Sequence, residues 1–500
     1  MSLRLRHSLE RGARFGIALI MVLALRVWAA DLSLAPPAPD KPWPLPSPAD
    51  IAARASVVVH GPLRRPSDAM EQAESVAVEH GRHYSLAELI DLAQRINPET
   101  REAWEEARQA ALAVGLVEST YAPQISIEAI AGFQRTPLPI PTTVNPKGYF
   151  TSNTVEAIPT VALKWLLFDF GRRDGQEQAA RANSFVANVG FTGAHQKLIF
   201  AVSRAYFSLG SSRGRVTAAE QALKTAETVQ DAAQSRRERG VTTVVVVAQA
   251  LRQTAQARLN LTRASGDERT AFANLVAAIG LPADTHIDIA DTSEQPLPAE
   301  PPENLSALIQ AALRSRPDVI AALGNIEAAE GEVKSRRADH YPTISVIGQV
   351  YQNMGSLSSD GSPYSSVNKP GGSVLLTLSV PLFDGGARST RDSVAQSKLA
   401  AARDKLAEVR DAAVQQVVSA YSDLRTSLAA YAAAVTVREA AQTSYDAAFD
   451  AYLHGVGTYT DVANEQTALA RSDADKEDAH ANVFTAAAAL AFATGTIRAN

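Results

Sequence analysis

The chain repeats itself, and the repeat constrains most of what it can become. Leu167-Phe168-Asp169 returns as Leu382-Phe383-Asp384, 215 residues later. Ala205-Tyr206 with Leu209 returns as Ala420-Tyr421 with Leu424 at the same offset. Gly240-Val241 matches Gly455-Val456, and Gly280 matches Gly495, again 215 apart. Alanine and glycine are common, so any one match is cheap. One offset shared by all of them from Leu167 to Gly280 is the mark of an internal duplication.

Each copy reads as the same order of elements. Ser85 followed by Glu88 is a capping-box start, and a helical stretch runs to about Thr120. Tyr121-Ala122-Pro123 breaks it. Gln124 to Ile130 then alternates as a strand, and Thr154 to Leu167 reads as a second. Phe168-Asp169-Phe170-Gly171 stops that strand. Helix resumes from about Gln176 to Arg239, Gly240 interrupts, and another helix reaches about Ile279. In the second copy a helix containing Pro317 runs from Leu305 to about Asp339. Tyr341-Pro342 opens a strand, Ser373 to Leu382 is its partner, and Phe383-Asp384-Gly385-Gly386 stops it. A long helix to Gly455 and another ending near Gly495 follow. The stretches 136–153 and 355–372, rich in Ser, Thr, Pro, Asn and Gly, read as loops. The units are therefore 85–281 and 304–496, joined by a linker at 282–303.

A helix from Gln176 to Arg239 would be roughly 95 Å long, and its counterpart similar. Such helices need lateral partners along their whole length. Val417, Tyr421, Leu424, Leu428, Tyr431 and Val435 follow a heptad seam, which calls for coiled-coil packing. Ala429, Ala430, Ala432, Ala433 and Ala434 leave room for more than one close neighbour. In the second strand pair Val374, Leu376, Leu378 and Val380 alternate with Leu375, Thr377 and Ser379. Strands of this length and alternation suit a membrane barrel, and four of them cannot close one alone.

The N-terminus adds an address. Arg4, Arg6, Arg11 and Arg14 precede an apolar run from Phe15 to Leu25, and Ala29 or Ala30 offers a cleavage site. Residues 1–30 have the layout of a secretory signal peptide. Residues 31–84 form an arm crowded with proline from Pro36 to Pro48, which either wraps a partner subunit or stays disordered. The chain has no cysteine, so disulfides, thiolate metal sites and thiol nucleophiles are excluded. A net charge of -5 without basic blocks gives no reason to expect nucleic acid. No catalytic, cofactor or metal-ligand pattern stands out, and His80 with His83 reads as a chance pair.

The order helix, strand, strand, long helix, helix, given twice, resembles the TolC-like outer-membrane factor (outer membrane efflux protein) family. The resemblance rests on the strand openers at Tyr121 and Tyr341, the paired Leu-Phe-Asp and Ala-Tyr motifs, Gly240-Val241-Thr242-Thr243, and Gly455-Val456-Gly457-Thr458-Tyr459-Thr460-Asp461. It covers about residues 85–496. It implies a mainly α fold with membrane β: two tandem repeats of long antiparallel helices plus a strand pair. It further implies a homotrimer with an α-barrel in the periplasm and a shared 12-stranded β-barrel among outer-membrane lipid. The protein would be a passive conduit for small-molecule efflux or type I protein secretion. A periplasmic adaptor (membrane fusion protein) and an inner-membrane transporter would dock at its inner end.

The same resemblance places the helix turns at Gly240, Val241, Gly455, Val456 and Gly457 at the periplasmic tip, for docking or gating. Asp461 would contribute to an acidic ring that selects cations, with Asn464 and Tyr459 beside it. In the first copy Val246 stands at the position of Asp461, so a pairing acid found there in some members is absent. A basic latch residue beside Gly455 is also missing. For Asp461 the competing reading is a solvated helix cap. Arg236, Arg237 and Arg239 would contact an adaptor or Asp461, or be a solvated helix end. The alternative to a channel is a periplasmic coiled-coil adaptor or scaffold.

Overall fold

The computed structural model describes residue 40 and residues 82–291, 295–360 and 362–497. The expected signal peptide and nearly all of the proline-rich arm lie outside the described residues. The elements in chain order are β1 (His83–Tyr84), α1 (Leu86–Ile96), α2 (Pro98–Ser119), β2 (Gln124–Pro139), β3 (Tyr149–Phe168), α3 (Arg172–Glu238), α4 (Val244–Ile279) and β4 (Asp288–Ile289). The second copy gives α5 (Leu305–Ser315), α6 (Pro317–Ala338), β5 (Thr343–Ser359), β6 (Ser365–Ser379), α7 (Ala387–His454) and α8 (Tyr459–Ala493).

Each copy opens with two helices where one was expected. The break falls at Asn97 and at Arg316, both extended with ψ near 129 and 128. The cause is the proline that follows each. It disfavours helix in the residue before it and fits the first turn of the next helix. The Ser85–Glu88 capping box forms as read: the Glu88 amide donates to Ser85 Oγ at 3.4 Å, and Glu88 Oε2 accepts from the Ser85 amide at 2.8 Å.

Strands are longer than the sequence indicated, and residues 136–139, 149–153, 355–359 and 365–372 belong to them rather than to loops. At the other end β6 stops at Ser379, short of the expected Leu382. The connection 140–148 is four residues longer than its counterpart 360–364. This explains why Pro98 and Pro317 lie 219 apart while the motifs after the strands keep 215.

The strand-to-helix corner is built identically twice. Asp169 Oδ1 accepts from the Gly171 amide at 3.3 Å, and Oδ2 accepts from Arg173 N and Nε at 3.1 and 2.9 Å. Arg173 Nη1 donates to the Leu166 carbonyl at 2.8 Å. In the second copy Asp384 accepts from Gly386 at 3.2 Å and from Arg388 N and Nε at 3.0 and 2.9 Å, while Arg388 donates to the Pro381 carbonyl at 2.7 Å. The arginine thus locks a carbonyl where the chain leaves the strand to the first helical turn. Gly171 and Gly386 hold φ of 95 and 91, which glycine adopts without steric cost.

The helices bury equivalent stripes. Val202, Tyr206, Leu209 and Leu275 join one core with α1 and β4, while Val417, Tyr421, Leu424 and Leu490 form the other with α5. The expected heptad seam is thus buried over its first three members, and Leu428 and Tyr431 pack at its margin. β1 pairs in parallel with β4, so the last residues of the arm are tied to the linker between the copies. α3 lies between α2 and α6 in its first half and between α4 and α8 in its second, and α7 packs on α6 and α8.

Candidate functional site in a two-faced sheet and two helical tips

Four antiparallel strands form one open sheet in the order β2-β3-β5-β6, so β2 and β6 are its edges. Directly paired residues share a face, and successive residues alternate faces. The register aligns Ile127 with Val161 and Val161 with Val350; Leu163 pairs Gly348, which pairs Val374; Val346 pairs Leu376. One face therefore carries Ile125, Ile127, Phe133, Val155, Val161, Val350, Val374, Leu376 and Leu378, all exposed in the single chain. The opposite face is mixed. It holds Glu128, Glu156, Lys164, Gln349 and Lys369 among Ile130, Ile158 and Leu375. An exposed apolar face opposite one that mixes charged, polar and apolar groups is the pattern of a barrel wall between lipid and water. At the helix end of the apolar face, Trp165 Nε1 donates to the Tyr121 carbonyl at 2.9 Å. An amphipathic ring there suits a membrane boundary. Among the described residues no helix is long and apolar enough to cross a membrane.

At the far ends of the helices the two turns start alike. The Gly240 amide donates to Arg237 O at 2.8 Å and the Val241 amide to Arg236 O at 2.9 Å. The Gly455 and Val456 amides do the same to Tyr452 O and Ala451 O at 3.1 and 3.0 Å. Both glycines have positive φ, 75 and 81, which closes the helix end. The second turn is tighter. A Cβ on Gly457 would lie 3.0 Å from the Ala451 methyl, whereas Thr242 stands at the equivalent place in the first copy.

The helices that leave the turns differ more. Asp461 closes a capping box on α8: its Oδ2 accepts from the Thr458 amide at 3.1 Å and hydroxyl at 2.7 Å, and its own amide donates to Thr458 Oγ1 at 3.2 Å. These donors, the hydroxyl first, hold the Asp461 carboxyl below its ordinary range. In the first copy Thr243 makes no side-chain cap bond, and Val246 turns into the tip core instead. Val241, Val244 and Val245 are exposed there, as is Val456 in the second copy.

Comparison with known proteins then decides the family. The profile described as Outer membrane efflux protein matches residues 89–281 and 308–496. The chain belongs to the outer membrane efflux protein family. Among its relatives, protein CyaE of Bordetella pertussis is 27% identical over 351 residues, covering 70% of this chain and 71% of that protein. Outer membrane efflux protein BepC of Brucella suis is 27% identical over 392 residues, covering 77% and 80%. The crystal structure of outer membrane protein VceC from Vibrio cholerae shares the fold, with a TM-score of 0.67 at 19% identity over 82% of this chain and 96% of that one.

As a member, this outer membrane efflux protein is an outer-membrane channel subunit, and the adaptor reading is set aside. Its family is one of channels rather than enzymes. The two matched segments fall on the two copies. Of the residues singled out in the sequence, Gly240, Val241, Gly455, Val456 and Gly457 form the two turns, and Asp461 and Asn464 lie one turn apart on the exposed side of α8. Tyr459 does not share that exposure. Its ring is only 8% exposed and lies in the tip core with its edge toward Tyr452, so it supports the turn from within.

Arg236 also departs from expectation. It reaches neither solvent alone nor Asp461. Its Nη1 donates to the Tyr452 carbonyl and, at 3.2 Å, to the Leu453 carbonyl, and its guanidinium lies 4.7 Å from the Tyr452 ring centroid. A cation on the last carbonyls of a helix is favoured by the helix dipole. The first copy thereby ties down the end of α7. Arg237 and Arg239 remain exposed. The Asp–Arg corner clamp has a signal in the sequence only through the shared offset, which relates Asp169 with Arg173 to Asp384 with Arg388.

Proposed function

We propose that three copies assemble into one conduit, with twelve strands closing a β-barrel in the outer membrane and the helices continuing it into the periplasm. The observation that carries this is the open sheet with one exposed apolar face and two unpaired edges. Lipid cannot satisfy an exposed strand edge, so the sheet must close with others. The chain contains a template for that closure. Within it, the second strand of copy one (β3) pairs antiparallel with the first strand of copy two (β5). Repeating the step pairs β6 with β2 of the next copy.

α3 and α7, of 67 and 68 residues, reach about 100 Å from the strands at 1.5 Å per residue. Their turns are the part farthest from the membrane, where a periplasmic adaptor and an inner-membrane transporter would meet the channel. The names of the relatives support efflux. Small molecules or secreted proteins are the two cargo classes, and the transporter selects between them. Three copies of Asp461 around the axis, with Asn464 beside each, would concentrate negative potential in the passage.

The test is fractionation and mass in detergent. An outer-membrane, heat-modifiable trimer is expected; a monomer would refute the assembly. In single-channel recordings Asp461→Asn should lower cation selectivity, and unchanged selectivity would remove Asp461 from the pore. A deletion strain scored for drug sensitivity and for lost secreted proteins separates the two cargo classes.

A further inference from the structure

The duplication predicts where a second copy of this chain must sit, and the residues at that place differ from those inside the chain. Among the described residues, α3 is flanked on both sides, by α2 and α6 above and by α4 and α8 below. α7, its repeat equivalent, packs on α6 and α8 with the short α5 beside them, and lacks the counterpart of the second pair that α3 has. Carrying the internal contacts forward by the repeat maps α3 against α6 onto α7 against α2 of the next copy. It likewise maps α3 against α8 onto α7 against α4 of the next copy.

The internal seam is made by backbone contact above and by aromatic stacking below. A Cβ on Gly175 would lie 2.5 Å from the Ser335 amide nitrogen, and one on Gly331 would lie 2.7 Å from that of Ala179. Glycine alone permits this approach. Farther down, Phe200 stacks on Phe492 at 5.2 Å and Phe207 on Phe484 at 4.9 Å between centroids.

The equivalent positions between copies carry none of these groups. Ala179 becomes Val394, and Gly331 and Ser335 become Leu112 and Leu116. In the single chain Leu116 is 72% exposed and Val394 50%. Exposed leucine and valine at the places where the repeat requires a neighbour are an uncovered apolar face, and the repeat names what covers it. Below, Phe207 becomes Ser422, with Asp423 next to it, and Phe484 becomes Arg269. Asp423 and Arg269 are both exposed. The register thus sets Arg269 opposite Ser422, one residue from the Asp423 carboxylate.

We infer that copies of this chain join through a seam of different chemistry from the one inside it: Leu112 and Leu116 of one copy close on Val394 of the next near the strands, and Arg269 meets Asp423 lower down. The inference deepens the trimer proposed above and rests on it. Around the ring, seams joined by backbone contact alternate with seams joined by long side chains, so the threefold axis is not blurred into a sixfold one.

The absence of cysteine makes the test direct. With Leu116→Cys and Val394→Cys in one chain, mild oxidation should give covalently linked dimers and trimers that reductant dissolves. With Leu116→Cys alone, maleimide should label the detergent-unfolded chain and spare the trimer. Arg269→Glu should reduce the trimer fraction, and adding Asp423→Arg should restore it. A wild-type monomer would refute the trimer itself. A wild-type trimer in which Leu116→Cys labels freely and the charge exchange fails to rescue would overturn the seam and leave the trimer standing.

Discussion

The two strand-to-helix corners make the same four hydrogen bonds, yet the tips at the other ends of the same helices do not. The corner is where the chain leaves the membrane sheet, and both copies must turn it in the same way. Asp169 with Arg173 and Asp384 with Arg388 do so with equal distances of 2.9 Å. Their cover and their outer partners differ. The first pair is 7% and 6% exposed, and Arg173 also donates to the Thr120 carbonyl at 3.0 Å and lies over the Tyr121 ring. The second pair is 32% and 13% exposed. At the tips no membrane imposes a common solution. One copy keeps a capping box and a tight glycine turn, and the other has an exposed valine run. Repeated chemistry marks what the fold needs, and the tips are where the two copies are free to differ.

The largest expected effect tests the buried corner. Arg173→Ala strands the Asp169 carboxylate without its cation and should cost about 3–5 kcal/mol, the range for breaking a buried pair. Arg388→Ala should cost far less, because water already reaches its partner. Urea unfolding of both variants in detergent measures the gap, and equal losses would show that the assembled ring buries both corners alike. At the tips, Thr458→Ala should lose about 1 kcal/mol of local stability, a typical cap contribution. Thr243→Ala, which removes no cap bond, should be near neutral. Hydrogen exchange at the first turns of α8 and α4 reads the two changes separately.

Acid should distinguish the tips in the same direction. The Asp461 carboxyl lies below its ordinary value of 3.8 in the folded chain, so its contribution is complete above that value and is lost as pH falls through the lowered one. Exchange protection at the start of α8 should therefore drop in strong acid before that at the start of α4, and Asp461→Asn should abolish the difference. The smallest effect is a gain. Val246→Asp recreates the Thr–Asp spacing at Thr243 and should raise protection of the α4 start slightly, provided the tip core tolerates losing the valine.

How much of this was legible in the sequence depended on whether the signal was local. The glycine stops and the Ser85–Glu88 cap are local, and both hold. The splits at Asn97 and Arg316 were legible too, through Pro98 and Pro317, but the apolar periodicity ran through them and masked the boundary. The outer parts of the strands were not legible. Gly371, for example, reads as a loop residue, but in the sheet the Tyr351 ring fills its place so closely that a Cβ there would lie 2.5 Å from it. A cross-strand partner supplies what the glycine lacks, and no single-strand pattern shows that. The bonds of Arg236 are not legible in the sequence for the same reason. Its partners, Tyr452 and Leu453, are contributed by the other copy.

The open sheet also has a consequence for how the protein reaches its place. A lone subunit suits neither phase: in the periplasm it offers water a wide apolar face, and in the bilayer it offers lipid two rows of unpaired amides and carbonyls along β2 and β6. Newly exported chains must therefore be shielded until three meet, and insertion must coincide with closure. The rate at which channels appear should rise more steeply than the supply of chains, which makes biogenesis, and not only transport, a property of the ring.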